Sequence, residues 1–251
     1  MIDTTLERNG VLSACRNCGT PLGEGQRFCG SCGQRGDSGR LTMRAIGHDL
    51  LHAITHVDHS IFSLLKALVL RPGRVAREFI EGKRKKYFGP FALLIISAGL
   101  ASFMIAITGV EWVRVTGDTR IAGLLERHVN VVFLIQMPLL AGWCALLFWN
   151  KRLHYAEHLV LSAYTSGFRI LFLAFVMTPI WYFMHVSPAR SSAGFYYYLP
   201  WIAYFAFAAA QFYGGNILFT VCKAILAAAL SWITTMAALF GFIVLFAQFA
   251  H

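Results

Sequence analysis

Charged residues are scarce in this sequence, and acidic residues are the scarcest of them. Only 14% of the 251 residues are charged, with 12 Asp and Glu against 22 Lys and Arg. A soluble globular domain normally carries about a quarter charged residues. Hydrophobic residues make up 57% of the chain and form long runs after about residue 87, whereas most basic residues precede that point. The composition therefore excludes an ordinary soluble domain and predicts a membrane protein with a polar N-terminal part.

Catalytic motifs are also lacking. The sequence contains no GxGxxG fingerprint, no phosphate-binding loop, no nucleophile elbow and no HExxH signature. An enzymatic function therefore has little support from the sequence.

A signal peptide is not visible in the N-terminal run MIDTTLERNG, which is polar and lacks a basic flank and an apolar core. We therefore expect the N-terminus to lie in the cytosol. In that reducing compartment, cysteines are expected to bind metal rather than to form a disulfide framework.

Two CxxC pairs are present, in the run CRNCGTPLGEGQRFCGSCG. Four thiolates at tetrahedral positions leave no open coordination position, so the pairs predict one structural zinc ion per chain, bound by Cys15, Cys18, Cys29 and Cys32. Gly19, Gly30 and Gly33 would allow the backbone to turn with positive φ. A rubredoxin-type iron site and four free cysteines are the alternatives.

Apart from the metal site, this zinc ribbon has few residues that could form a core. Only Leu22 and Phe28 could form a core, so metal binding must supply most of the folding free energy, on the order of 10 kcal/mol. Residues 34–40 are polar and predict a flexible linker. Residues 1–40 are therefore expected to form an N-terminal domain of ribbon and linker.

A helical period runs through residues 46–68, with apolar residues on one stripe and four histidines on the opposite side. We expect an amphipathic helix on the cytosolic membrane surface. The spacing of His52 and His56, with Asp58 or His59 as a further ligand, would suit a second metal or proton site. A solvated polar face, which would include His48, and a contact with a partner protein are the other interpretations.

Seven basic residues crowd the segment RPGRVAREFIEGKRKKYF before the first long apolar run. Pro72 and Gly73 should break the preceding helix, and a short second helix is expected over residues 74–81. Near a membrane, each cation attracts anionic lipid headgroups by about 1 kcal/mol. Nucleic-acid binding is the rival interpretation, and the position beside a membrane span disfavours it. We expect residues 41–87 to form a surface segment whose headgroup-binding residues are Arg71, Arg74, Arg77, Lys83, Arg84, Lys85 and Lys86.

Five apolar segments could cross a bilayer of about 30 Å. The chain is therefore predicted to be an all-α polytopic membrane protein, with a transmembrane helical bundle over residues 88–251. The distribution of basic residues between loops places the N-terminus inside and the C-terminus outside. The aromatic run FYYYLPWIAYF predicts a belt at the outer interface. The predicted spans are residues 88–108, 129–149, 156–184, 195–212 and 222–249.

The third apolar segment carries a charge. At helical spacing His158, Ser162, Thr165 and Arg169 share one side, and a charge at mid-depth costs at least about 2.5–3.5 kcal/mol, so this stripe should avoid lipid. Arg169 is either a structural residue that bonds to helix-end carbonyls or to Gln136 and Gln211 of neighbouring spans, or a site for an anion such as a lipid phosphate that approaches from the cytosol. Near the cytosolic end, Glu157 and His158 could bind a cation or pass a proton, or they could cap the helix and pair with Lys151 or Arg152.

These features together resemble a bacterial family of uncharacterised inner-membrane proteins that have an N-terminal zinc ribbon and a membrane domain of unknown function. The resemblance rests on CRNCG and FCGSCG, on HVDHSIFSLLKALVLRPGRVAREFIEGKRKKYFGPFALL, and on YAEHLV. It implies zinc binding by Cys15, Cys18, Cys29 and Cys32, a polytopic fold and a multi-pass location in the bacterial inner membrane. It implies no reaction.

Three functions follow from these features as hypotheses. The first is a scaffold or regulatory membrane protein without catalytic activity, which binds zinc and a cytosolic partner or anionic lipid. The second is a small transporter or lipid-handling protein that uses the Arg169 stripe. The third is a membrane metalloenzyme that uses the His48–His59 face. The sequence leaves open whether the chain forms a homo-oligomer.

Overall fold

The computed structural model describes residues 14–23, 25–36, 43, 60–110, 129–188 and 193–249. Most of these residues are helical. Within these ranges there is no β-strand, only isolated bridges that join Ala14 to Pro21 and Phe28 to Arg35. The structure therefore confirms the predicted all-helical character for the described part of the chain.

Eight α-helices lie in the described ranges. A 3₁₀ turn, Trp149–Lys151, follows the fourth, and a π-helical segment, Leu173–Met177, joins the fifth to the sixth without a break. The helices are α1 (Ser60–Leu70), α2 (Pro72–Ile80), α3 (Pro90–Thr108), α4 (Val129–Leu147), α5 (Tyr155–Phe172), α6 (Thr178–Phe183), α7 (Ala193–Tyr213) and α8 (Ile217–Phe249).

Local sequence signals account for several helix ends. Pro72 and Pro90 each occupy the first turn of a helix, where a missing N–H costs nothing. The predicted short helix therefore starts at Pro72 itself, earlier than the expected residues 74–81. Gly109 ends α3 with a φ of 64°, and its N–H donates to the Ile105 carbonyl.

Three helical stretches are long and apolar enough to cross a membrane: Pro90–Thr108, Tyr155–Phe183 and Ile217–Phe242. The chain is therefore a membrane protein by length and composition. Helices α4 and α7 occupy the positions of the other two predicted spans.

The stretch Tyr155–Phe183 is the centre of the bundle. In the most apolar 18-residue segment of this stretch, 72% of the residues are buried. The corresponding values are 33% for Pro90–Thr108 and 28% for Ile217–Phe242. It packs against α2, α3, α4 and α7, while α8 packs on the outside against α4 and α7. Polar side chains on α5 are therefore placed inside the protein.

Helix α2 is docked on the end of α7. A Cβ atom at Gly73 would lie 2.0 Å from the Ala208 carbonyl oxygen, so only glycine permits this approach. The Gln211 side chain accepts a hydrogen bond from the Gly73 N–H (3.1 Å), and Arg77 donates to the Phe212 carbonyl. Each helix thus satisfies free backbone groups at the end of the other.

Candidate metal centre and buried arginine site

The two CxxC pairs fold into two knuckles with the same backbone pattern. In the first, the Gly19 N–H donates to the Cys15 carbonyl at 2.8 Å, and in the second, the Gly33 N–H donates to the Cys29 carbonyl at 2.8 Å. Both glycines have positive φ, 79° and 67°. Because side chains disfavour this conformation, glycine allows each turn to close tightly.

The four sulfur atoms form a cluster of the size that a tetrahedral metal requires. They all lie within 4.8 Å of one another, and no other group of potential ligands of this kind occurs in the described part of the chain. The Cys15 and Cys32 sulfurs are 3.6 Å apart, and those of Cys18 and Cys29 are 3.5 Å apart. Metal–sulfur bonds of about 2.3 Å in a tetrahedron give sulfur separations of about 3.8 Å. The cysteines therefore fit one four-coordinate metal ion.

Hydrogen bonds favour a thiolate at Cys18. Its sulfur lies 3.2 Å from the Thr20 hydroxyl, and hydrogen bonds from that hydroxyl and from the Thr20 backbone lower the pKa of Cys18 to about 6. A thiolate is the form that binds metal. This cysteine is therefore ready to coordinate an ion near neutral pH.

Two details of the ribbon (residues 14–36) differ from the sequence prediction. Gly30 does not have positive φ, since the second turn uses Gly33 instead. Phe28 is 56% exposed, so the small core consists of Leu22 and the cysteine side chains. The low apolar content supports the expectation that metal binding dominates folding of this unit.

Gln34 joins the ribbon to the connecting loop (residues 81–89) between α2 and α3. Its side-chain N–H₂ donates to the Gly82 carbonyl (2.7 Å), and its side-chain oxygen accepts from the N–H groups of Arg84 and Lys85 (3.1 and 3.3 Å). Gln34 is only 4% exposed. The sequence prediction assigned this residue to a flexible linker, but a buried amide with three hydrogen bonds belongs to a packed contact.

The seven predicted headgroup-binding residues fall into different electrostatic environments. Glu78 pairs with Lys86 (2.6 Å) and more weakly with Lys83 (3.9 Å), and Arg77 pairs with Glu81 (3.3 Å). Arg84 is partly buried. The three exposed cations that form no ion pair with an acidic residue of the described ranges are Arg71, Arg74 and Lys85.

Burial raises the pKa of Glu78, but hydrogen bonds from Lys86 and Tyr87 outweigh this effect and leave its pKa below the usual 4.5. The hydrogen bond to Glu78 raises the pKa of Lys86 above its usual 10.5. Both groups are therefore charged across the physiological range. This pair fixes the connecting loop to α2.

The structure buries the whole predicted polar stripe of α5: His158, Ser162, Thr165 and Arg169 are each at most 3% exposed. The Arg169 side chain donates from Nη1 to the Gln136 side-chain oxygen and from Nε to the Tyr197 hydroxyl, both at 2.9 Å. Gln211 is not a partner, since it bonds to α2. No carboxylate among the described residues pairs with Arg169.

Aromatic rings surround the Arg169 guanidinium. The ring centroids lie 4.3–5.2 Å from its Cζ atom and belong to Phe133, Tyr197, Tyr198 and Trp201. Tyr197 and Trp201 are 2% and 4% exposed. The sequence prediction of an interfacial belt is therefore wrong for these two residues of the aromatic run, whose rings make cation–π contacts inside the bundle.

His158 and Glu157 have structural contacts at the start of α5. The Nδ1 atom of His158 lies 2.7 Å from the Tyr213 hydroxyl, and the Tyr213 ring stacks on Phe148 with 3.7 Å between centroids. Glu157 accepts a hydrogen bond from the His154 backbone N–H (2.8 Å), as a helix cap does. Of the expected roles, capping by Glu157 is thus the one that these contacts support.

The predicted second metal or proton site falls outside the described residues. His48, His52, His56, Asp58 and His59 all lie there. They therefore remain sequence-based candidates.

Among known families, the profile of one described as a protein of unknown function (DUF3667) matches residues 58–101. This match supports only the part of the resemblance that concerns a domain of unknown function, and it spans α1, α2, the connecting loop and the first part of α3. It does not include the cysteine cluster. No curated protein and no solved structure matches the chain.

Proposed function

We propose that the chain is a non-enzymatic membrane protein that binds one structural zinc ion and presents a basic surface to anionic lipid or a protein partner, as a scaffold or regulatory protein. The observation that carries this proposal is the contact between the ribbon and the connecting loop. Gln34 follows directly after the second knuckle and bonds to three residues of that loop. Metal binding therefore orders the segment that presents the cations.

The donor set supports zinc in a structural role. Four thiolates are soft ligands that suit zinc or iron in a tetrahedral site. Because all four positions belong to the protein, a bound ion has no open position for a substrate or water. Zinc, one ion per chain, is the proposed occupant.

The charge distribution supports a lipid headgroup as the ligand of the connecting region. Arg71, Arg74 and Lys85 are exposed and have no acidic partner in the described ranges, so their full charge is available. Lys83 and Lys86 share Glu78, which reduces their attraction for an anion. The available charge lies next to α3, a candidate membrane span.

We further propose five transmembrane spans. Helices α4 and α7 are 19 and 21 residues long, which matches the hydrocarbon thickness of about 30 Å at 1.5 Å per residue. Together with α3, the stretch Tyr155–Phe183 and α8, these two helices make five spans, which is an odd number. The N-terminus and C-terminus are then on opposite sides of a bacterial inner membrane, with the ribbon in the cytosol.

Lipid binding is tested with two neighbouring lysines. Lys85→Gln removes a cation that has no ion-pair partner in the described ranges, whereas Lys86→Gln removes one that Glu78 already neutralises. Each variant is reconstituted in nanodiscs with a defined fraction of phosphatidylglycerol, and native mass spectrometry counts the retained anionic lipids. We expect fewer for Lys85→Gln and no change for Lys86→Gln. Equal counts in wild type and Lys85→Gln would remove the lipid role of this residue.

The partner role is tested at the metal site. Replacing Cys15 and Cys18 by serine removes two ligands, and the proteins that co-purify with the variant are compared with those of the wild type. An unchanged set would remove the ribbon's role in partner binding.

A second candidate function is a small transporter or lipid-handling protein. The observation in its favour is Arg169, a permanent charge buried in the bundle without a carboxylate partner among the described residues. Arg169→Leu should abolish flux or lipid transfer in proteoliposomes while the protein stays folded. Unchanged flux would exclude this function.

The third candidate, a membrane metalloenzyme, depends on the His48–His59 face. Metal analysis tests it, because the cysteine cluster accounts for one ion per chain. A second equivalent that is lost in a variant with His52 and His56 replaced by alanine would support this site, and one equivalent in total would exclude a stable second metal.

A further inference from the structure

A cavity of about 180 Å³ lies between α5 and α7. Apart from Arg169 and Pro200 its lining is aromatic: Phe168, Phe172, Tyr197, Trp201 and Tyr204. Pro200 is exposed at the surface of the bundle, while Arg169 and Trp201 are buried. The cavity therefore runs from a buried charge to the apolar outer face of the protein.

Two buried N–H donors at this cavity have no hydrogen-bond partner. These are Nη2 of Arg169 and Nε1 of Trp201, which belong to side chains that are 3% and 4% exposed. Nearly all buried N–H groups in proteins are paired, since an unpaired one loses its hydrogen bond to water without replacement. Both donors belong to residues that line one cavity, so an acceptor that binds there would satisfy them.

The acceptor that fits this environment is an anion. The other two guanidinium nitrogens already bond to neutral groups, the Gln136 amide oxygen and the Tyr197 hydroxyl. No carboxylate in the described part of the chain balances the charge of Arg169. One anionic group would therefore neutralise the charge of Arg169. It would also accept hydrogen bonds from the two free N–H groups.

The size and depth of the cavity limit the rest of the ligand. A volume of about 150 Å³ accommodates a group the size of benzene, so the cavity holds one carboxylate or phosphate but no large polar molecule. Arg169 is fourteen residues from Tyr155, about 21 Å along the helix and thus deep in the hydrocarbon region. Outside the headgroup, the ligand must be apolar.

The helices on both sides of the cavity are irregular at this level. The π-helical segment Leu173–Met177 begins directly after Phe172, and Pro200 interrupts the hydrogen-bond pattern of α7 beside Trp201. The Thr178 hydroxyl donates to the Leu173 carbonyl at 3.0 Å, which satisfies an acceptor in the irregular segment. Such segments commonly occur at functional sites.

We infer that Arg169 and Trp201 form a binding site for the oxyanion headgroup of an amphiphile with one acidic group, which enters from the lipid side of α5 and α7. The shared chemistry is one carboxylate or phosphate group on an apolar chain, from a free fatty acid or from an acidic phospholipid. This inference rests on the second candidate function, because it names a ligand class for the same arginine.

The test measures binding of radiolabelled oleate and of phosphatidate to the full chain in phosphatidylcholine nanodiscs. Oleyl alcohol and inorganic phosphate serve as probes that lack the charge or the apolar chain. We expect saturable binding of about one oleate or one phosphatidate per chain, and no saturable binding of the other two probes. Whichever acidic probe binds identifies the source of the headgroup.

Two variants test the residues without removing the arginine. Trp201→Phe keeps an aromatic ring over the guanidinium but removes the N–H, so binding should weaken about tenfold, as expected for one hydrogen bond to a charged group. Gln136→Glu supplies an internal carboxylate to Arg169, so binding should weaken by about a hundredfold or more while thermal stability stays equal or rises. Gln136→Glu keeps the size of the side chain, whereas Trp201→Phe also loses part of the indole ring, so the thermal stability of both variants is measured beside binding.

Three results would overturn the inference: equal affinity of both variants and wild type for the acidic probe, saturable binding of oleyl alcohol with the same affinity, or no saturable binding of either acidic probe. The transport proposal fails separately. If oleate binds through Arg169 and Trp201 but Arg169→Leu leaves flux unchanged, only transport is excluded. If flux depends on Arg169 and neither acidic probe binds, only this ligand class is excluded.

Discussion

The sulfur atoms of Cys15, Cys18, Cys29 and Cys32 lie within 4.8 Å of one another, so as four thiolates they would repel one another unless a cation lay between them. The residues around them provide little other folding free energy. Leu22 is the single large apolar side chain in the small core of the ribbon. We therefore expect metal binding at these four residues to control whether the ribbon folds.

Replacing Cys15 and Cys18 by serine should reduce the metal content from one ion per chain to none and should unfold the ribbon. Two remaining thiolates cannot hold a tetrahedral site with comparable affinity. Elemental analysis by mass spectrometry measures the metal, and Cys222→Ser is the matched control because this exposed cysteine lies outside the cluster. Full metal content in the double variant would contradict the assignment.

Glu78 should stabilise the protein in a defined pH window. Hydrogen bonds outweigh the effect of burial and lower the pKa of Glu78. Its contribution to the free energy of unfolding is therefore fully present above pH 4.5, the usual pKa. This contribution is lost as the pH falls through the lower pKa of the folded state. Because the pKa of Lys86 is raised, the stabilisation by this pair is lost at high pH only above 10.5. Since Lys86 is 41% exposed, screening should limit the pair to about 0.5–1 kcal/mol.

Denaturation of Glu78→Gln at pH 7 and at pH 3 tests this window. The stability difference from the wild type should be present at pH 7 and smaller at pH 3. Glu81→Gln is the matched control, because Glu81 and its partner Arg77 are 54% and 46% exposed and should contribute less. A difference for Glu78→Gln that does not change with pH would exclude an electrostatic contribution from this residue.

A close helix contact holds α2 against α7. Gly73→Ala should be strongly destabilising, because the added Cβ would lie 2.0 Å from the Ala208 carbonyl oxygen and 2.6 Å from the Gln211 Cβ. Separation of α2 from α7 would also break the hydrogen bonds of Gln211 and Arg77. We expect a loss of several kcal/mol, as for other overpacked or disrupted contacts.

Thermal unfolding in detergent measures this effect, and Gly99→Ala is its control. Gly99 lies in α3, and a Cβ there would meet no atom within 4 Å. Alanine is the better helix former, so the control should be neutral or slightly stabilising. Similar midpoints for the two variants would show that α2 does not approach α7 closely.

The contact between the ribbon and the connecting loop depends on the Gln34 side chain. In Gln34→Ala the N–H groups of Arg84 and Lys85 lose a common acceptor, so hydrogen exchange in a peptide covering residues 82–87 should be faster by about tenfold. In the control Gln26→Ala, the effect should be confined to the Gly23 region, where the Gln26 side chain accepts its hydrogen bond. Unchanged exchange at residues 82–87 would contradict the contact.

The helices were predictable from sequence to the extent that local signals define them. The long apolar run specifies the position of α3, and the break before α2 was predicted, although its start at Pro72 was placed two residues too late. Gln34 was predicted to lie in a linker, because its partners are 48 to 51 residues away and no local pattern indicates them. Gly73 likewise suggested a helix break, whereas its role is a close approach to a helix more than 130 residues later.

The site around the buried Arg169 was also only partly predictable from local sequence signals. Its unusual position in an apolar segment identified it, because charges inside membranes are rare. Gln136 was anticipated as its partner, but the aromatic residues of α7 were expected at the interface since tyrosine and tryptophan are common there. The π-helical segment after α5 and Pro200 inside α7 both interrupt regular helix at this level, and a periodic pattern does not reveal which side chains they bring together.

On the scale of the whole molecule, the described parts of the chain form one connected structure. A metal-dependent ribbon contacts the connecting loop, the loop and α2 are fixed to α7, and α7 packs against α5 around Arg169. This continuity requires the ribbon and the cations to lie on the same side of the membrane. Many large apolar side chains on the outer helices are exposed, such as Phe103, Phe219 and Phe240, as expected for a bundle that contacts lipid.

The most direct test of this arrangement is cysteine labelling in intact bacterial cells with a membrane-impermeant maleimide. In a Cys222→Ser background, one reporter is Lys85→Cys in the connecting loop and the other is Met184→Cys, directly after the stretch Tyr155–Phe183 and 66% exposed. The account predicts that Met184→Cys is labelled in intact cells and that Lys85→Cys is labelled only after the membrane is permeabilised. Labelling of Lys85→Cys from outside, with Met184→Cys protected, would contradict it.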